Sequence, residues 1–182
     1  DWTDAIYDFL LTGRRPASYL LLALIGGFLL MLSVGTSKVV AVAGAIAIAF
    51  CSYNMQIIQV GHNTKMQAIA YFPWVLAGVI FTYRAALAAL SDEKASWKSW
   101  LPKTVLGATL FAFALSMQIK ANHLQITYYL AIVIFAYAIG QFIYICMDKA
   151  RRSALLKRFF AASALLLFIG IGSVLYNLQA AV

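Results

Sequence analysis

The sequence predicts an all-α integral membrane protein, with about six transmembrane helices and a short interfacial helix at the N-terminus. Three observations carry this: composition, the length of the uncharged stretches, and the distribution of lysine and arginine. Of 182 residues, 64% are hydrophobic and 11% charged, with mean hydropathy +0.85. A soluble domain is about half apolar and a quarter charged. Because a bilayer core about 30 Å thick needs roughly 20 apolar residues of helix, the stretches between successive charged residues are the natural units. Six reach or approach that length: Pro16 to Ser37 (22 residues), Val39 to Thr64 (26), Met66 to Tyr83 (18), Thr104 to Ile119 (16), Ala121 to Met147 (27) and Phe159 to Val182 (24). The fourth is short, but it extends back over Trp100 and Leu101, and Lys103 and Lys120 can snorkel to the interfaces.

Alternating spans put Arg14, Arg15, Lys65 and Lys120 on one side and the other ten basic residues on the opposite side. The side with ten is expected to be cytoplasmic. Both chain ends and the two turns at Lys65 and Lys120 then face outward, in what is expected to be a bacterial inner membrane. The net charge of +8 reads mostly as this topology signal, and nucleic-acid binding is a poor reading of it.

In chain order, an external interfacial segment, 1–15, precedes a six-helix bundle, 16–182, with spans at about 17–34, 39–60, 66–83, 101–119, 125–147 and 159–178. Asp1 to Leu11 reads as an amphipathic helix, with Trp2, Ile6, Phe9 and Leu10 on one face and Asp1, Asp4 and Asp8 on another. Those aspartates are either a solvated acidic face or a source of a catalytic base or metal ligand. Pro16 suits the first turn of the next helix, and Gly26-Gly27 lets a neighbouring helix approach closely. The second span carries small residues on several faces from Ala41 to Ala49, which predicts a helix packed inside the bundle. Toward its end Asn54, Gln56 and Gln59 would be costly against lipid, so they are expected to line a cavity or bond a neighbouring helix. Pro73 interrupts the third span and frees a carbonyl on the preceding turn.

The Arg84 to Lys103 loop carries Trp97 and Trp100 as interface anchors. The basic cluster from Lys149 to Arg158 suits anionic headgroups, although the positive-inside bias alone accounts for it. Cys51 and Cys146 lie within spans, where apolar burial is expected, and suggest neither a disulfide framework nor a metal site. The start at Asp1 and the stop in Gln179-Ala-Ala-Val182 lead to the expectation of a piece of a longer chain.

Soluble-enzyme motifs such as a P-loop, a dinucleotide fingerprint or a Gly-x-Ser-x-Gly elbow are absent. What stands out is two polar hinges. Gly61-His62-Asn63-Thr64-Lys65 lies between two apolar runs, and Lys120-Ala121-Asn122-His123-Leu124-Gln125 repeats its Asn, His and Lys. These hinges hold both histidines of the protein. Two histidines without nearby carboxylates are thin for zinc, and no cofactor is indicated. Lys65, Lys120, His62 and His123 beside Asn63, Asn122 and Gln125 instead suit an anion such as a lipid phosphate arriving at its own depth; solvated turn residues are the alternative. Tyr128 continues the polar character into the membrane edge.

The blocks Gly44-Ala-Ile-Ala-Ile-Ala-Phe-Cys-Ser-Tyr53, Gln59-Val-Gly-His-Asn-Thr-Lys65, Ala68-Ile-Ala-Tyr-Phe-Pro73 and Leu76-Ala-Gly78, followed by Asn122-His123-Leu-Gln125-Ile-Thr127-Tyr128-Tyr129, resemble the large bacterial YfhO-like membrane proteins. That family is similar to the GT-C superfamily of multi-spanning glycosyltransferases. The resemblance implies a GT-C-like bundle that uses a polyprenyl-phosphate-linked sugar at the outer face of the membrane. His62, Asn63, Lys65, Asn122, His123 and Gln125 match its polar blocks and are implied to bind the lipid phosphate or the sugar. In GT-C enzymes the catalytic acid lies in the first external loop; Asp1, Asp4 and Asp8 stand in no motif that matches it. The expected partners are membrane lipid, the lipid-linked donor, and other subunits or the remainder of the chain. The competing expectation is a non-catalytic transport or interaction bundle, in which Asn54, Gln56 and Gln59 line a path or hold a partner helix.

Overall fold

The structure, a computed structural model, describes residues 15–88 and 97–180. Asp1, Asp4 and Asp8, with the interfacial helix expected around them, lie outside the described residues. All regular secondary structure among the described residues is helical: α1 (Ala17–Val34), α2 (Lys38–Ala49), α3 (Ser52–Gln59), α4 (Asn63–Ala88), α5 (Trp97–Lys120), α6 (Leu124–Met147) and α7 (Arg152–Ala180). Six segments are long and apolar enough to cross a membrane, with α2 and α3 together, Lys38–Gln59, forming one of them.

The turns are specified locally. At the end of α1, Gly35 adopts φ 97°, and its N–H donates to the Leu32 carbonyl while the Thr36 N–H donates to that of Met31. This paired pattern closes a helix that ends in a left-handed residue. Ser37 then starts α2, its hydroxyl accepting from the Val40 N–H.

The second span departs from the sequence expectation in two ways. It is not one helix, because Cys51 is extended (ψ 148°) and separates α2 from α3. The side-chain amide of Asn54 reaches back and donates to the carbonyls of Ile48 and Ala49, at 2.9 and 3.2 Å. Backbone acceptors freed by the break therefore regain a partner inside the protein, which an apolar environment demands. Nor is α2 enclosed by the bundle. Only Ala41, Ala45 and Ala49, one stripe at helical spacing, are buried, whereas Val39 is 81% and Ile46 50% exposed. Small apolar residues facing outward lose little in an apolar medium, so their presence on several faces does not force enclosure. Cys51 is exposed at the break rather than packed.

Helix α4 is the centre of the bundle: 72% of its most apolar window is buried, against 11% for α6. One core joins α4 to α5, α6 and α7 through Val79, Tyr83, Phe111, Leu115, Leu130, Phe159 and Leu166. A second joins it to α1, α2, α3 and α5 through Tyr19, Leu22, Ala49, Ile57, Tyr71 and Met117. Pro73 sits within α4 without ending it. Beside it the Trp74 indole N–H donates to the Leu22 carbonyl at 2.8 Å, its ring lying over Gly26. Gly27, the other member of the pair, faces Ala45 of α2. Toward α7, the Tyr83 and Ser163 hydroxyls hydrogen-bond at 2.8 Å, and the Tyr83 ring stacks on Phe159 with centroids 5.3 Å apart.

Helices α4 and α5 meet backbone to backbone. A Cβ on Gly78 would lie 2.6 Å from the Phe111 amide nitrogen and 2.8 Å from its Cα, and one on Gly107 would lie 2.8 Å from the Thr82 nitrogen. Gly78→Ala is therefore expected to destabilise the protein by about 1–3 kcal/mol through overpacking. Gly140→Ala is the control, because nothing lies within 4 Å of its added Cβ. It should be neutral or stabilising by up to about 1 kcal/mol. Unfolding in detergent micelles measures both, and equal effects would contradict the close α4–α5 approach.

Candidate functional site

The first hinge is a helix stop followed at once by a helix start. Gly61 at φ 75° follows α3, its N–H donating to the Ile58 carbonyl and the His62 N–H to that of Ile57. Asn63 then begins α4, so that Lys65 stands in the first turn. The second hinge uses Asn122 for the same reversal, at φ 53°. Asparagine is among the few residues besides glycine that visit this region readily. His123 precedes α6 and its carbonyl accepts from the Ile126 N–H.

Both hinges lie at the same end of the bundle and contribute to one cavity of about 450 Å³. Tyr53 of α3, Lys65, Ile69 and Phe72 of α4, and Gln125, Ile126 and Tyr129 of α6 line it. On α4 the three residues follow the i, i+4, i+7 spacing of one helix face. The Lys65 ammonium lies 5.4 Å from the centroid of the Tyr53 ring, a cation–π contact that fixes it toward the cavity. Across from it, the Gln125 amide donates to the Tyr129 hydroxyl at 2.9 Å. The lining is thus one cation, one amide and two phenols over an apolar wall, with no carboxylate.

Of the residues singled out from sequence, Lys65 and Gln125 meet at this cavity, one from each hinge. His62 and Asn63 are exposed on the first hinge, Asn122 is exposed and Lys120 half-buried on the second, and none of these lines it. His123 is half-buried, with its Nε2 buried and lacking a hydrogen-bond partner. Thr127 Oγ1, four residues on, is likewise buried and unpartnered. Tyr128 points outward and is 64% exposed. Its neighbour Tyr129 takes the cavity position, which the i, i+4 relation to Gln125 indicates. Asn54 is buried and bonded to backbone at the α2–α3 break, while Gln56 and Gln59 are exposed; none of the three lines this cavity. Tyr53, Ile69, Phe72 and Ile126 complete the lining. Among the described residues no group of three His, Cys, Asp or Glu side chains converges.

No family model, curated protein or solved structure matches the chain.

The hinge geometry makes a separable prediction. Gly61→Ala should cost about 1 kcal/mol, although nothing lies within 4 Å of its added Cβ, because the strain is in the backbone alone. Asn122→Gly should be close to neutral, whereas the β-branched Asn122→Val should destabilise by more than Gly61→Ala. Thermal unfolding of the three variants checks this; a harmless Asn122→Val would rule out the left-handed turn.

Proposed function

We propose that the chain is the membrane-embedded core of a GT-C-like glycosyltransferase, which takes its sugar from a polyprenyl-phosphate carrier at the outer face of a bacterial inner membrane. One observation carries this reading: Lys65 from the first hinge and Gln125 from the second line a single cavity that is polar on one side and apolar on the other. A lipid-linked phosphate needs both surfaces at once. The ammonium would neutralise the phosphate, the amide and phenols would hydrogen-bond phosphate or sugar hydroxyls, and Ile69, Phe72 and Ile126 would meet the first carbons of the lipid. The block resemblance to YfhO-like proteins supports the same reading.

In such a transfer an acceptor hydroxyl loses its proton to a base and attacks the anomeric carbon, while the bond to the phosphate oxygen breaks and its electrons leave on the phosphate. Negative charge then grows on the leaving group, where Lys65 would stabilise it. His123 does not line the cavity and would act from the second hinge by positioning Gln125. The base is left unassigned: Asp1, Asp4 and Asp8 are the carboxylates of the external segment, and they stand in no motif that matches the GT-C acid. The alternative transport bundle draws no support from Asn54, whose amide is already held by two backbone carbonyls.

Lys65→Ala and His123→Ala, each made in the full-length protein, should lower transfer of a polyprenyl-phosphate-linked sugar by about a hundredfold or more. Transfer is measured with labelled donor in proteoliposomes. Full activity in both variants would sink the proposal.

A further inference from the structure

At the opposite end of the bundle, α4, α6 and α7 enclose another polar cavity, of about 330 Å³. Arg84, Gln141, Tyr144, Asp148 and Arg151 line it, with Leu87, Ile145 and Leu155 among its apolar walls. Its one carboxylate is Asp148, so the lining carries two positive charges and one negative. Asp148 Oδ1 accepts the backbone N–H of Arg151 at 3.1 Å, at the start of α7, and pairs with neither guanidinium. Arg84 donates through Nη1 to the Ser33 carbonyl at the end of α1. A guanidinium carries five N–H donors in a planar fork; that of Arg84 lies against Gly35 at the end of α1, so the fork of Arg151 is the one most open to a ligand.

We propose that this cavity binds a phosphate group. The Arg151 fork, the second arginine Arg84, an amide and a phenol supply donors of the kind phosphate oxygens accept, and their two positive charges exceed the single negative charge of Asp148. The exposed Lys149 and Arg152 beside it raise the local positive potential. The positive-inside bias also gathers cations at this end, but it treats them as interchangeable solvated charges. The cavity distinguishes them: Arg84, Arg151 and Lys149 are all exposed, but the two arginines line it and Lys149 does not. A lipid headgroup and a soluble phosphate compound share this chemistry, and the site lies apart from the cavity at the hinges.

The test uses the full chain in detergent micelles, with binding of phosphatidylglycerol and phosphatidylcholine read by native mass spectrometry, with and without inorganic phosphate. Wild type should retain phosphatidylglycerol in preference, and Arg151→Gln should weaken that retention about tenfold. Lys149→Gln should change it by no more than about twofold. Arg84→Gln should act in the same direction as Arg151→Gln, but it also removes the bond to Ser33, so Arg151 is the deciding position. Displacement of the lipid by inorganic phosphate identifies a soluble phosphate ligand, and resistance to it identifies the headgroup; either supports the site. Equal losses in Arg151→Gln and Lys149→Gln, or no preference in wild type, would overturn it.

Discussion

The rest of the bundle depends on how closely α4 meets its neighbours. At Gly78 and Gly107 the backbones of α4 and α5 approach until no side chain fits between them. A contact set by missing Cβ atoms leaves little room for sliding, because any shift drives backbone into backbone. Other features of α4 inherit that register. Trp74, one turn before Gly78, reaches the Leu22 carbonyl of α1; Tyr83, further along, reaches Ser163 of α7. A helix held in this way along its length fixes the side chains at both its ends, and those ends carry Lys65 and Arg84.

The apolar segments were legible because charge is the costliest thing to bury in an apolar slab, so uncharged stretches mark helices almost directly. Their ends were less legible. α4 begins at Asn63 rather than Met66 and runs to Ala88 beyond Arg84, since a polar residue in a terminal turn continues the hydrogen-bond ladder while its side chain turns outward. The break at Cys51 could not be read, for no glycine or proline stands there; the compensating group is Asn54, whose polarity pointed equally to a cavity or to a bond with a neighbouring helix. At the candidate site, Lys65 and Gln125 stood out as polar residues flanking long apolar runs. Ile69 and Phe72 did not, because in helices that are apolar all round no periodicity separates a cavity wall from ordinary packing.

Several buried polar side chains bond to backbone carbonyls rather than to each other: Asn54 to Ile48 and Ala49, Trp74 to Leu22, Gln118 to Ala68. Such bonds cross between elements and tie the helices together where apolar contact alone gives weak specificity. A few polar atoms remain outside this scheme. Gln118 Oε1, His123 Nε2 and Thr127 Oγ1, at the end of α5 or the start of α6, are buried without hydrogen-bond partners, as is Ser18 Oγ at the start of α1. Unsatisfied capacity of this kind is costly, and its concentration beside the second hinge separates that end of the bundle from an ordinary pair of turns.

Lys65 and Arg84 are separated by the 18 uncharged residues Met66 to Tyr83, a rise of about 28 Å along a helix, close to the thickness of a bilayer core. One helix therefore presents a cation at each border of a bilayer-sized apolar slab, with a polar cavity beside each. Phosphates of membrane lipids occupy both borders, so depth alone does not distinguish what the two cavities would hold. Their donors do. An ammonium is a point charge that tolerates changing angles. A guanidinium fork is planar and fits one fixed arrangement of oxygens. The two linings thus differ in the geometry of the donors they offer, an ammonium at the hinge end and guanidinium at the other, with α4 holding the two apart.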